Sequence, residues 1–316
     1  MNTPGLHRTR GTCRADGPFI CELGHQELGP SSNSLRVGAH ATLRYARRLN
    51  EIMRGATYME DFLLFAVVGF LAQAVDGALG MAYGVISSTV LLAFGVPPAQ
   101  TSASAHAAEL FTTAASGSAH LYHRNIDWKL FRRLVPFGVA GGILGAFVLT
   151  SFDGDQVKPF VTAYLAIIGS WLLYRSFHRI PTNPVKMRIV APLGATAGFL
   201  DAAGGGGWGP VATTGLLGAG GQPRFVIGTV NASEFLIALS VSLSFLATIV
   251  TGHWEEAGDF GDYLTSVGGL IIGGVLAAPL AGWMVKALQE RTLLRLVGSL
   301  ITLLAGYQTL ELTGLL

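Results

Sequence analysis

The chain has 316 residues, of which 50% are hydrophobic and only 13% charged, with a formal net charge of +2. Soluble domains carry about 25% charged residues, so an ordinary soluble domain is excluded, and so small a net charge gives no argument for nucleic acid as a partner. Cys13 and Cys21 both precede the apolar region, which argues against a disulfide framework or a cysteine metal site within it.

Residues 1–58 are arginine-rich, low in periodicity and without the apolar run of a signal peptide. They are expected to be a disordered or mis-called N-terminal extension, with Met53 and Met59 as later starts, and a small regulatory tail is the alternative. From residue 61 onward, apolar runs follow one another, and about 20 such residues cross a bilayer as a helix. The pattern predicts segments at 61–77, 79–95, 99–122, 131–151, 157–176, 188–204, 208–221, 225–250, 264–285 and 292–314. The expected fold class is an all-α polytopic membrane protein, with the lipid bilayer as its surroundings.

Loop charges orient it, because short cytoplasmic loops collect Lys and Arg. The loop 123–133 carries Arg124, Lys129, Arg132 and Arg133; that near 175–188 carries Arg175, Arg179, Lys186 and Arg188; and 286–295 carries Lys286, Arg291 and Arg295. By contrast, 251–262 carries Glu255, Glu256, Asp259 and Asp262, and the 152–156 turn carries Asp153 and Asp155. Ten crossings with both termini outside place every basic loop inside and both acidic turns outside. The arginines at 44–54 alone oppose this, and they drop out if translation begins near Met59. Otherwise one short segment near a break would be re-entrant.

Two apolar segments are interrupted. "VDGALGMAYG" (75–84) sets Asp76 and three glycines in a membrane-length run, and "DAAGGGGWGP" (201–210) does so again. Irregular backbone at membrane depth survives only where protein or a water-filled cavity satisfies it. Its free N–H groups and the following helix N-terminus suit an anion; helix packing or a hinge is the alternative. The breaks also belong to an internal repeat. "GFLAQAVDGALG" (69–80) and "GFLDAAGGGGWG" (198–209) share six of twelve residues, and "PAQTSASAHAAEL" (98–110) matches "PRFVIGTVNASEF" (223–235). "GGILGA" (141–146) likewise matches "GGVLAA" (273–278). Each copy holds about five segments, an odd number, so the second enters from the opposite side. Two inverted repeats, 59–186 and 187–316, each broken near its start, are therefore expected, as in secondary transporters whose sites lie where the repeats meet.

Candidate substrate-binding residues are Gly77, Gly80, Tyr83 and His106 in the first copy, and Gly206, Gly209 and Asn231 in the second. Glu109 and Glu234 are repeat-matched ionisable groups inside predicted spans, where such groups are costly and by default functional. Each follows His106 or Asn231 by three residues, on one helix face. They are proton-coupling candidates, with a structural hydrogen-bonded pair as the alternative. A carboxylate beside an anion site repels unless protonated, which would tie binding to pH. Asp76 and Asp201 flank the breaks and serve as candidate helix caps, although the gapless alignment does not pair them. Tyr83 and Trp208 could close over a ligand or face lipid. Enzyme signatures and a nucleotide-binding loop are missing, so no enzyme is expected, and no cofactor or metal site is assigned.

With these residues in view, the chain resembles the sulfite exporter TauE/SafE family. The cues are "DGALGMAYG", "GGGGWGP", the turn prolines with their small-residue helices, and "NIDWKLFRRLVPFGVAGGILGA", within 61–316. The resemblance implies a multi-pass permease of the bacterial inner membrane that moves sulfite, organosulfonates and related small sulfur-containing anions. An aspartate in "VDGALGMAYG" departs from the glycine-only versions of that break. Outward movement has a driving force, since each negative charge leaving a negative interior gains roughly 2.3 kcal/mol per 100 mV. A metal-cation permease using His106, Asp76 and the glutamates, or a membrane scaffold, are the alternatives. A homo-oligomeric partner is left open.

Overall fold

The computed structural model describes residues 59–77, 79–178, 186–254, 264–278 and 290–314. The N-terminal extension and the acidic stretch 255–262 lie outside the described residues. The described part is helical, with no strand. α1 covers 59–77, and α2 (Tyr83–Ala93) follows the first break. Next come α3 (Pro98–Tyr122), α4 (Trp128–Leu149) and α5 (Gly154–Phe177). A 3₁₀ turn (Met187–Ile189) leads into α6 (Val190–Gly204); after the second break a π-helical turn (Trp208–Thr213) runs directly into α7 (Thr214–Gly218). α8 (Pro223–Val250), α9 (Leu264–Ala277) and α10 (Glu290–Leu312) complete the set.

Local chemistry explains the boundaries. Pro98 and Pro223 open α3 and α8 at the first helical position, where a missing N–H costs nothing. Asp127 caps α4 by accepting from Lys129 N at 2.9 Å and Leu130 N at 3.2 Å, and Asp153 caps α5 through Asp155 N at 2.8 Å. α4, α5 and α8 are long and apolar enough to cross a membrane, with mean hydropathies of 1.4, 1.4 and 1.9. α2 has only 11 residues, roughly 16 Å of helix, about half the hydrocarbon core. The segment after the second break is equally short, so the predicted spans 79–95 and 208–221 are half-length helices.

The surface is inverted relative to a soluble protein. Leu63, Val67 and Leu71 on α1, Leu144 and Phe147 on α4, and Phe160 and Ile167 on α5 are exposed, whereas Ser87, Ser88, Thr101, Ser102 and Thr112 are buried. Contacts between loops sort into two ends. At one, Arg224 donates to Asn125 Oδ1 (2.7 Å) and His123 O (3.1 Å), and Arg133 to Met187 O (3.3 Å). At the other, Ser151 pairs with His253 (2.9 Å) and Lys158 with Glu311 (3.3 Å). The first end holds Arg124, Arg133 and Arg224 and the second the acidic turn 152–156, while residues 179–185 and 286–289 of the other basic loops lie outside the described residues.

Glycine sets how closely helices approach. α4 packs on α6 and α1 on α9 with backbones in contact. A Cβ on Gly141 would stand 2.9 Å from Phe199 N, and one on Gly273 2.8 Å from Phe70 N, each also striking a carbonyl oxygen, of Ala195 and Ala66 respectively. Small residues permit this approach in membrane bundles. Gly273→Leu should therefore lower stability by about 1–3 kcal/mol, read as a drop in thermal midpoint of the detergent-purified protein. Gly268→Leu is the control, because its added carbon would meet only the Phe62 ring, at 3.7 Å, and its midpoint should hardly move.

Candidate functional site

Both breaks turn through left-handed glycines. Gly80 has φ +65° and accepts no side-chain penalty there, and Gly205 has φ +71°. The amide of Gly80 still bonds Asp76 O (2.6 Å), and those of Gly205 and Gly206 bond Asp201 O, so each helix closes on its own aspartate's carbonyl. The freed carbonyls then find hydroxyls from across the molecule. Gly80 O accepts from Thr213 (2.9 Å), and Gly205 O from Ser88. Gly206 O accepts from Tyr164 (3.1 Å), and Ala202 O from Ser102 (2.6 Å).

The N–H groups beyond each break face the aspartate side chains. Asp201 Oδ1 accepts from Gly207 N at 2.7 Å and Trp208 N at 2.9 Å, and Asp76 Oδ1 accepts from Tyr83 N at 3.4 Å. Asp76 and Asp201 thus take the same local role, each accepting from the N–H seven residues on. Asp76/Asp201, Gly80/Gly205, Tyr83/Trp208, Ser88/Thr213, His106/Asn231 and Glu109/Glu234 share one constant spacing, which pairs the two aspartates where the gapless alignment does not. The helices before the breaks pack one turn out of register with this spacing, which is why alignment through Gly69 and Gly198 separated them.

Around the second break the fold assembles a buried ionisable cluster. His106 Nε2 lies 3.2 Å from Asp201 Oδ2 and 3.9 Å from Glu109 Oε2, while its Nδ1 lies 2.7 Å from Ser102 O. Ligating atoms of His106, Glu109 and Asp201 all fall within 4.8 Å of one another. The sequence assigns no metal site, and the metal-cation alternative draws on His106, Asp76 and the glutamates without Asp201. Folding brings α3 and α6 together and makes them neighbours. Glu109 Oε1 sits against the second break, since a Cβ on Gly84 would be 2.5 Å from it and 3.0 Å from Gly206 Cα. Glu109 Oε2 and Glu234 Oε2 are buried without a hydrogen-bond partner, an arrangement that costs about 1–3 kcal/mol for a polar atom and more for a charged one.

The other candidates spread around this centre. Gly209 packs on the first break, a Cβ there falling 2.6 Å from Met81 Cα, and Gly80 faces the Asn231 amide, 3.0 Å from its own would-be Cβ. Asn231 donates to Ile227 O (3.2 Å) and accepts from Ser116 (3.3 Å). Gly206 touches the start of α2 at Gly84 and Val85. Gly77 is half-buried at the end of α1. Neither aromatic faces lipid; Tyr83 donates to Leu270 O (3.0 Å) and Trp208 to Val230 O (3.1 Å), both fully inside. Two residues escaped the sequence reading. Gln73, one turn before Asp76, is 1% exposed with neither amide atom hydrogen-bonded. Arg175, read as part of a basic loop, is instead 8% exposed in the last turn of α5, with its guanidinium 4.0 Å from Met81 Sδ. A cation in a helical register that aims inward was the signal for the second.

Replacing Asp201 by alanine removes the acceptor of two buried N–H groups at about 1–3 kcal/mol each, so Asp201→Ala should unfold at a clearly lower temperature than wild type. Asp201→Asn retains an oxygen for those amides and should recover most of that loss, which a thermal-shift comparison of the two variants measures.

Comparison with known proteins places this geometry. The family model described as Sulfite exporter TauE/SafE matches residues 65–308. The "Probable membrane transporter protein YtnM" of Bacillus subtilis (strain 168) is 42% identical over 252 residues, covering 78% of this chain and 81% of that protein. No solved structure matches. With both breaks, the half-length helices and the buried cluster all inside the matched region, the chain belongs to the sulfite exporter TauE/SafE family of membrane transporters.

Proposed function

We propose that this protein is a secondary transporter or facilitator that carries small sulfur-containing anions, sulfite or organosulfonates, outward across the bacterial inner membrane. The observation that carries the reading is Asp201 Oδ1 seated on the Gly207 and Trp208 amides. The break already holds an oxyanion there, supplied by the chain itself, and a sulfite or sulfonate oxygen offers the same acceptor chemistry to the same N–H groups. Asp76, His106, Glu109, Asp201, Asn231 and Glu234 are each at most 5% exposed, the arrangement of a carrier closed on both sides.

An inverted-repeat architecture is part of the same proposal. Contacts are reciprocal between the halves. Gly80 O takes the Thr213 hydroxyl while Gly205 O takes that of Ser88, and Gly141 abuts Ala195 as Gly273 abuts Ala66. Two copies that exchange contacts in this way can rock about a shared centre, as alternating access requires. A divalent-cation permease is the second reading, favoured by the His106, Glu109 and Asp201 ligand set.

Purified protein in liposomes should pass current on addition of sulfite or sulfoacetate. Gly209→Leu, which drives a side chain into Met81 backbone, should abolish it. Current with a divalent metal alone would favour the second reading over the first.

A further inference from the structure

The buried cluster beside the second break turns three lone-pair atoms toward one another. The Ser102 hydroxyl donates to Ala202 O, and Ser102 O only accepts, so His106 Nδ1 carries the hydrogen of the 2.7 Å contact between them. The other ring nitrogen, Nε2, lies 3.2 Å from Asp201 Oδ2 and 3.9 Å from Glu109 Oε2. A hydrogen on Nε2 would bond Asp201 alone, because the contact to Glu109 is beyond hydrogen-bond range. Glu109 Oε2 would stay as it is, buried at 1% exposure with no hydrogen-bond partner among the described residues.

A divalent cation between the three atoms would serve them all. Ligands held by a tetrahedral Zn2+ at about 2.0–2.2 Å stand roughly 3.3 Å apart. Nε2 and Asp201 Oδ2 already have close to that separation, at 3.2 Å, and Glu109 Oε2 has to close by roughly half an ångström. The Nδ1–H bond to Ser102 O fixes the ring in the orientation of a ligand, the support that metal-bound histidines commonly have. Asp201 keeps Oδ1 on the Gly207 and Trp208 amides while offering Oδ2, so neither role displaces the other. Two carboxylates and a neutral imidazole balance one divalent charge, whereas an imidazolium would leave a negative charge over. An imidazole with two carboxylates and no thiolate suits a first-row divalent ion such as Zn2+, Mn2+ or Co2+. The first half does not repeat the site. Asn231 stands where His106 would be, with its amide nitrogen on Ile227 O and its oxygen on the Ser116 hydroxyl.

We propose that His106 Nε2, Asp201 Oδ2 and Glu109 Oε2 bind one divalent transition-metal ion per chain, which stays with the protein and lets the second break accept an anion. The part concerning the anion rests on the transport reading above. Without the ion, two buried carboxylates beside the Gly207 and Trp208 amides oppose any anion that approaches. With it their charge is cancelled, and three protein ligands leave a coordination position that an oxyanion oxygen can take. The ion is then part of the binding site and not the cargo, which separates this proposal from a cation permease.

The test uses the full-length, tag-free protein in detergent, stripped with a chelator and titrated with Zn2+, then with Co2+ for its visible absorption. One equivalent should bind per chain, and His106→Gln should weaken binding by at least about 100-fold, the upper end for loss of a supporting partner alone. Should that variant not fold, Glu109→Gln carries the same readout. Unchanged binding in a folded variant means surface histidines only and overturns the proposal, as does a folded wild type that binds no metal. Sulfoacetate should bind the loaded protein about tenfold more tightly than the stripped one, and equal affinities overturn the ion's part in anion binding. Liposomes enclosing a fluorescent zinc chelator should report no zinc entry during sulfoacetate transport; entry makes the ion cargo and overturns the resident site. If one equivalent binds to wild type and is lost in the variant, yet neither sulfoacetate nor sulfite binds either form, the metal site stands and the sulfur-anion reading falls.

Discussion

A helix interrupted at membrane depth has to find a partner for every backbone group that the interruption frees, because lipid offers none. Much of the architecture follows from that demand. The left-handed glycines at 80 and 205 turn the chain, and the carbonyls released there are taken by hydroxyls of Thr213, Ser88, Tyr164 and Ser102. The amides released on the other side are taken by aspartates. Each break is thus completed by side chains from distant elements, and the close packing of α4 on α6 and of α1 on α9 through glycine holds those elements near enough to do so.

The electrostatic cost of this solution is concentrated at one place. Asp201 gains two amide hydrogen bonds and a histidine, which offsets its burial. Glu109 and Glu234 gain less, each leaving one oxygen unbonded. Stability alone does not account for carboxyl groups kept in that condition, since replacing unsatisfied buried polar groups with apolar ones is often neutral or favourable. A transporter has a use for them, because a site that is incompletely satisfied when empty is one that a ligand or a proton can complete.

Apart from 279–285, which lies outside the described residues, the helical segments were legible to within a few residues because hydropathy and prolines mark them directly, and both breaks were legible because glycine clusters have no place in a continuous span. Glu109 and His106 stood out as polar residues in an apolar run. What the chain order concealed was spatial. Asp201 and His106 are 95 positions apart, and only the packing of α6 beside α3 makes them partners. The matching local roles of Asp76 and Asp201 were hidden because the shared phrase "GFL" aligns four residues out of step with them. Arg175 was assigned to a loop because its neighbours in sequence are basic, whereas its place on the helix turns it inward. The half-length helices were read as full spans because apolar composition does not record where the chain ceases to be helical.

The exchange of hydroxyls between the breaks bears on how the protein is made. Gly80 leaves the ribosome more than a hundred residues ahead of Thr213, the residue that satisfies its carbonyl. Until the second half has been inserted, the first break stands in the bilayer with a backbone group lacking its eventual partner. The first half alone therefore cannot complete its own break, because the hydroxyl that does so belongs to the second half. Each break is closed only when both halves are present, since Gly205 O likewise draws on Ser88 of the first half.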